Sequence, residues 1–316
     1  MPILSLGTIA LDRVSTPAGR VEEAVGGSAV FFCAAASLLS EVRVVGVVGD
    51  DYPLLELDFL RERGVDFGGV AQLPGPSFFW SGEYSEDFRS RTTLETRPGV
   101  LADFDPRVPE GWRDSTMIFL GNTDPGLQLA LLDRTEGPSL VVADTMNYWI
   151  EETREALMRL LARIDVLLVN DEEAVQLSGA DDLAKAAACI RSLGPSVVVI
   201  KRGEAGATLY GAGWSHSCPS FAPDRLRDPT GAGDAFAGGF MGRLEREGRH
   251  DRVALCRAAA FGAAAGSFAV EDFSVERFRS LTVDELAARA RAIALAAPPP
   301  AGTSGAEAAR LSGRQR

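Results

Sequence analysis

The sequence of 316 residues predicts an α/β protein: a doubly wound, mostly parallel sheet flanked by helices, with a smaller β insertion. Two observations predict the sheet. From Thr116 onward, short apolar runs alternate with helical patterns, and each run ends in polar residues. FLGN ends at Asn122, LVVADTMN at Asp144 and Asn147, VLLVNDEEA at Asn170 and SVVVIKRG at Lys201. Apolar strands joined through helices belong to a parallel sheet covered on both faces, and their polar ends gather along one edge as a ligand crevice. The third observation predicts the insertion. Over residues 65–96 helical spacing disappears, and Phe78, Phe79, Trp80, Tyr84 and Phe88 are interspersed with Ser, Gly, Glu and Arg, as in short antiparallel strands.

In chain order, residues 3–7 are an apolar run ending in Gly, a buried first strand. Asp12 follows closely. Ligands of open α/β sheets sit beyond the carboxyl ends of strands, so Asp12 either accepts hydrogen bonds from substrate hydroxyls or shapes a turn. Residues 25–39, VGGSAVFFCAAASLL, open on Gly26-Gly27 and continue as an Ala-rich buried helix. The glycine pair either lets the backbone approach a ligand or simply starts the helix. Residues 42–48 are a second strand; Asp50 and Asp51 after it read as structural acids. Residues 52–64 form an amphipathic helix closed by Gly64. Phe79, Trp80 and Tyr84 either stack on a nucleobase or sugar face or pack the insertion onto the body. Residues 207–217 suggest a hairpin, and helical patterns cover 253–268 and 283–295. The stretch from Pro298, PPPAGTSGAEAARLSGRQR, has the composition of a disordered tail. The chain thus reads as one domain over residues 1–297 and a tail over 298–316.

Composition excludes several classes. A net charge of −12 argues against a nucleic-acid partner, which requires a clustered basic face. The four cysteines, Cys33, Cys189, Cys218 and Cys256, are scattered without C-x-x-C and read as reduced thiols of a cytoplasmic protein. Neither His216 nor His250 stands near an acid or nucleophile motif, so histidine catalysis is not expected. The opening MPILSLGTIALD lacks a basic n-region and reads as a strand, not a signal peptide. No stretch has the length of a membrane span.

The most informative stretch is DPTGAGDAFAGGF, residues 228–240. Thr230 to Gly233 lead directly into Asp234 and an apolar helix pattern. A helix N-terminus presents unpaired N–H groups and the positive end of the dipole, which suits phosphate. A carboxylate at that spot repels phosphate unless it has a task, and the obvious task is to take the proton of a hydroxyl that attacks the phosphate. The plain alternative is an Asp cap after a Gly-rich turn.

This stretch resembles the C-terminal signature of the PfkB/ribokinase family of carbohydrate and nucleoside kinases, and the resemblance covers nearly the whole chain outside the tail. It implies a ribokinase-like fold in which Asp234 is the catalytic base and the Gly231, Ala232 and Gly233 amides form the anion hole for the γ-phosphate. Asp228 and Thr230 then belong to the nucleotide side. Asn170-Asp171-Glu172-Glu173 matches the family's N-x-x-E, with Asn170 and Glu173 organising Mg²⁺ and phosphate and Glu173 reaching the metal through water. On its residues alone the motif reads better as an Asn cap with acids in the first turn. IKRGEAG resembles the nucleotide loop T-x-G-x-x-G: Gly203 and Gly206 match, and Lys201 replaces Thr as a point-charge contact to ATP.

On the acceptor side the resemblance places Asp12 as the sugar-binding acid and Gly26 and Gly27 as sugar contacts. Phe31 and Phe32 stand where the family often has Asn, which makes Phe31 an apolar candidate contact. The β insertion becomes a lid, with segments at about 12–25 and 66–97, the first about half the length expected from ribokinase. Implied cofactors are ATP and Mg²⁺, with a monovalent cation as an option. Implied partners are a small acceptor and ATP, with no nucleic acid or membrane, and with a homodimer through the lid as an option. The leading reading is an ATP-dependent sugar or polyol kinase. The alternatives are a nucleoside (adenosine-like) kinase and a catalytically weak sugar- or nucleotide-binding regulator. A Rossmann oxidoreductase requires G-x-G-x-x-G after the first strand. GTIALD stands there instead, and a match started at Gly231 meets Phe236 as its third glycine. The P-loop pattern G-x-x-x-x-G-K-[ST] is absent.

Overall fold

The computed structural model describes residues 1–297 and the backbone of residues 301–302. Its strands are β1 (Ile3–Leu6), β2 (Ala10–Thr16), β3 (Gly19–Gly26), β4 (Val42–Val48), β5 (Val65–Gln72), β6 (Phe78–Tyr84), β7 (Arg91–Arg97), β8 (Met117–Leu120), β9 (Leu140–Asp144), β10 (Val166–Asn170), β11 (Val197–Lys201), β12 (Ala207–Gly211), β13 (Trp214–Cys218) and β14 (Ala301–Gly302). Its helices are α1 (Ser28–Ala36), α2 (Asp58–Glu62), α3 (Pro125–Leu132), α4 (Asn147–Glu152), α5 (Arg154–Leu161), α6 (Asp171–Ser178), α7 (Leu183–Ser192), α8 (Ala232–Glu247), α9 (Arg252–Ala269), α10 (Glu276–Ser280) and α11 (Val283–Ala296).

The main sheet runs β14-β13-β12-β11-β10-β9-β8-β1-β4-β5. From β11 to β5 every pair is parallel, and β12 to β14 continue antiparallel. Successive side chains of a strand point to opposite faces, and this builds two cores. Val197 and Val199 enter the layer that holds α1, α8, α9 and α11 residues. Val198 and Ile200 enter the layer with α3, α5, α6 and α7 residues. Phe32 of α1 stacks on Phe119 of β8 with centroids 4.1 Å apart. The glycines of AGGF in α8 have a packing task. A Cβ on Gly238 would collide with the Phe32 carbonyl of α1, and one on Gly239 with the Phe261 carbonyl of α9. Both helices can therefore cross α8 at close range, which fixes the helix whose first turn carries Asp234.

A second sheet, β3-β2-β6-β7, forms the lid. β2 and β3 are an antiparallel hairpin, β2 and β6 pair in parallel, and β6 and β7 pair antiparallel. The expected second lid segment, 66–97, is corrected at its start: β5 pairs in parallel with β4 as the edge of the main sheet. Its sequence VDFGGVAQ is half-exposed and carries two glycines, so it lacks the apolar run of a central strand. The sequence placed Asp12 just past the first strand, at the start of the first lid segment; it lies inside β2. Of the tail over 298–316, residues 301–302 pair with β13, and the expected disorder of the rest lies outside the described residues.

Candidate active site

The crevice opens at the carboxyl ends of β9, β10 and β11, where α8 begins. Gly231, the residue before α8, is left-handed (φ 74°) and gives the helix no side-chain cap. A Cβ there would overlap the Phe31 ring, so both conformation and space require glycine. Ala232 donates its amide to the Pro229 carbonyl at 3.2 Å, while the Gly231 and Gly233 amides have no protein partner among the described residues. The three-amide hole expected from the sequence thus has two open donors and one engaged. Phe31 is corrected as well. It is 1% exposed, and its ring is covered by Gly231, so it forms the floor of that loop and not a face for a substrate.

Asp234 lies in the first turn of α8. Burial, then the charge of Asp144, pushes its pKa up to about 7, and Lys201 pulls the other way. Lys201 ends β11 directly across from Asn170 at the end of β10. Its Nζ pairs with Asp144 Oδ2 at 2.8 Å, and a Cβ on Gly233 would sit 3.0 Å from that Nζ. The ammonium therefore abuts the anion loop. Burial opposes its charge, but Asp144, Glu173 and Asp234 outweigh that and raise its pKa.

Asn170 and Glu173 close a capping box on α6. Asn170 Oδ1 accepts from the Glu173 amide at 2.7 Å, and Glu173 Oε2 accepts from the Asn170 amide at 2.8 Å. Glu173 is 7% exposed. Burial, partly offset by Lys201 and reinforced by Asp144, lifts its pKa to about 7. No group of three or more His, Cys, Asp or Glu among the described residues forms a metal cage. Both Asp144 oxygens are engaged, by Lys201 and by the Thr145 amide. This donor set fits a hydrated Mg²⁺ brought in on nucleotide phosphates, with Glu173 reaching it through water, since Mg²⁺ keeps most of its waters in such sites.

Gly203 and Gly206 bound one turn of 3₁₀ helix after β11. A Cβ on Gly203 would meet nothing within 4 Å, whereas one on Gly206 would collide with the Cys218 carbonyl of β13. Gly203 thus faces open space, and Gly206 serves packing. Asp228 is 1% exposed and shapes the loop: its Oδ1 accepts the Thr230 amide at 2.9 Å. The Thr230 hydroxyl meets the Tyr84 hydroxyl at 3.1 Å, which ties the lid to the anion loop.

Asp12, 6% exposed, projects from the lid hairpin over Gly26, where a Cβ would overlap its carboxyl group. Burial, then Asp228 and to a lesser extent Asp234, raises its pKa to about 7, while the Gly27 amide lowers it. Gly27, at φ 93°, leads into α1.

Sequence reasoning assigned no specific role to two charged residues. Asp144 holds Lys201 in place; its signal was a lone acid closing an apolar strand. Arg91 of β7 acts electrostatically on Asp12, Glu173 and Asp234 and lies 5.2 Å from the Trp80 ring centroid. It carries no sequence signal, because an arginine in an exposed strand is ordinary. Of the lid aromatics, Phe79 is buried beneath Arg13 and Arg97, and Tyr84 is used through its hydroxyl.

A helix start with open amides, a lysine against it and an acid in its first turn have the chemistry that a phosphoryl group requires. Comparison with known proteins assigns the chain to a family. The model of the pfkB family carbohydrate kinases matches residues 127–278. The cytidine kinase of Thermococcus kodakarensis is 30% identical over 250 residues, covering 78% of this chain and 89% of that protein. The chain belongs to the pfkB family of carbohydrate kinases. As a member it is a kinase of the sugar and nucleoside class that uses ATP. The nucleoside kinase of Methanocaldococcus jannaschii superposes with a TM-score of 0.74 at 18% identity, covering 92% of this chain and 99% of that one. Aminoimidazole riboside kinase from Salmonella enterica, solved with aminoimidazole riboside and an ATP analogue, gives 0.73 at 23% identity, covering 92% and 100%. These structures share the ribokinase-like fold of this pfkB-family kinase. No helix among its described residues is long and apolar enough to cross a membrane.

Proposed function

We propose that this pfkB-family kinase transfers the γ-phosphoryl group of ATP to a primary hydroxyl of a nucleoside. The sugar of the acceptor lies between Asp12 with Gly26-Gly27 and Asp234. The observation that carries the reading is the pair of acids, Asp12 and Asp234, both raised to about 7 chiefly by burial, with Asp12 in the field of Asp234, set beside the open Gly231 and Gly233 amides. Asp234 takes the proton of the hydroxyl, the freed oxygen forms a bond to the γ-phosphorus, and the bond to ADP breaks with its electron pair leaving on ADP. A base near neutral pKa suits that task. The two amides, the α8 dipole and Lys201 hold the charge on the phosphoryl oxygens. Mg²⁺, when bound with the nucleotide, neutralises phosphate charge. Asp228 and Thr230 set the loop, and Asn170, Glu173, Lys201 and Gly203 line the nucleotide side.

The nucleoside as acceptor is supported by the likeness to a cytidine kinase over most of that protein's length. A free sugar is the second reading, and one observation favours it. The lid rings are already engaged: Phe79 by Arg13 and Arg97, Trp80 by Arg91 and Thr93, Tyr84 by Thr230. A cytoplasmic setting belongs to the same proposal, and so do an optional monovalent cation and an optional dimer through the lid, whose β7 is exposed along its whole length. A coupled ADP-release screen over cytidine, uridine, adenosine, inosine, pentoses, hexoses and inositols tests the reading. The expected result is strongest turnover with a nucleoside. Release confined to sugars reverses the order of the two readings, and none above the basal rate rejects both.

A further inference from the structure

The turn after β4 holds a phenol with nothing to bond. Tyr52 is 4% exposed and packs in the core layer of Phe31, Phe32 and Phe79. Its hydroxyl is buried without a hydrogen-bond partner among the described residues, although buried tyrosine hydroxyls ordinarily have one. The backbone around it is fixed: the Tyr52 carbonyl accepts from the Leu54 amide at 2.9 Å. The residue before it, Asp51, accepts from the Ser77 amide at 2.8 Å and the Ser77 hydroxyl at 2.6 Å. Ser77 Oγ in turn accepts from the Gly49 amide at 2.9 Å.

That latch joins the turn to the root of β6, which runs beside β2 with Ala10 opposite Phe78 and Asp12 opposite Trp80. The latch therefore sets the turn at the end of β6 that pairs with Ala10, two residues along β2 from Asp12. Burial and then the Asp12 charge push the Tyr52 pKa up, so the two groups lie in one field without bonding each other. An ionised Asp12 can only accept hydrogen bonds, and a protein tyrosine far above neutral pKa remains a donor. A sugar hydroxyl that gives its proton to Asp12 keeps lone pairs for such a donor.

We propose that Tyr52 is an acceptor-binding residue whose hydroxyl donates to a sugar oxygen that Asp12 also holds. The inference rests on the reading of the Asp12 side as the acceptor site. The test is steady-state kinetics of Tyr52→Phe against wild type with cytidine, 2′-deoxycytidine, 3′-deoxycytidine, D-ribose and 2-deoxy-D-ribose. The variant keeps the ring and loses one neutral hydrogen bond, so the acceptor KM rises about three- to tenfold while kcat and the ATP KM hold. The deoxy analogue lacking the read oxygen loses nothing further in the variant. Removing an unpaired buried hydroxyl leaves the ligand-free melting temperature equal or higher. Wild-type turnover of cytidine or D-ribose reports on the functional reading, and the KM ratio on whichever is phosphorylated reports on Tyr52. An unchanged KM, or a lowered melting temperature of the free variant, overturns the inference. Wild-type protein that phosphorylates neither overturns the reading and the inference together.

Discussion

Asp12, Glu173 and Asp234 each titrate near 7 in the folded protein, chiefly because burial disfavours their charge. Each therefore destabilises the ligand-free fold when ionised. For Asp12 the value rises from 3.8 to about 7. Between those values the folded state binds more protons than the unfolded one, so stability falls as pH rises through that window. Asp12→Asn removes the charge at nearly constant shape. Its melting temperature is expected to match wild type near pH 4, to exceed it by a growing margin up to pH 7 and to keep that margin above. Scanning calorimetry of both proteins from pH 4 to 8 checks this, and a constant difference would show that Asp12 is not charge-strained. Asp12 and Asp234 were legible in the sequence, because one follows the first strand and the other closes a loop of small residues. The pairing of Asp144 with Lys201 and the reach of Arg91 were not. They depend on which strand ends and lid edges meet: Asp144 shows only as the polar end of an apolar strand, and Arg91 stands in no local pattern.

At the scale of elements, the loop into α8 is tightly constrained. A side chain on Gly231 meets both a left-handed backbone and the Phe31 ring. Overpacking costs roughly 1–3 kcal/mol, and a Cβ at positive φ adds to it. Gly231→Ala is expected to lower the melting temperature by several degrees and to cut ADP release sharply. Adding Phe31→Ala is expected to return part of the activity by making room, but not the backbone cost. Wild-type stability in the single variant would show that the loop has slack. The N-x-x-E element shows why spacing alone stopped short. Its capping geometry is realised in full, and the buried Glu173 also lies in the field of Lys201. The sequence pattern encodes the cap, and only tertiary placement brings the lysine to it. β5 was assigned to the lid because an edge strand with two glycines lacks the apolar signal of its neighbours in the main sheet.

For the whole molecule, alternating apolar runs and helical patterns were enough to predict a doubly wound parallel sheet. The order of its strands, and the parallel β2–β6 pair in the lid, depend on contacts distant in sequence that no local pattern encodes. The assembled fold brings the lid acid Asp12, the β9–β11 charges and the first turn of α8 to one crevice, and the proposed phosphoryl transfer rests on that convergence. Single-turnover transfer by Asp234→Asn, measured beside its ATP-binding isotherm on the acceptor that gives the strongest ADP release, tests this claim most directly. The account predicts a loss of about 10²–10⁴ in rate, the contribution of a positioned base, with ATP affinity retained. Turnover near the wild-type rate would contradict it.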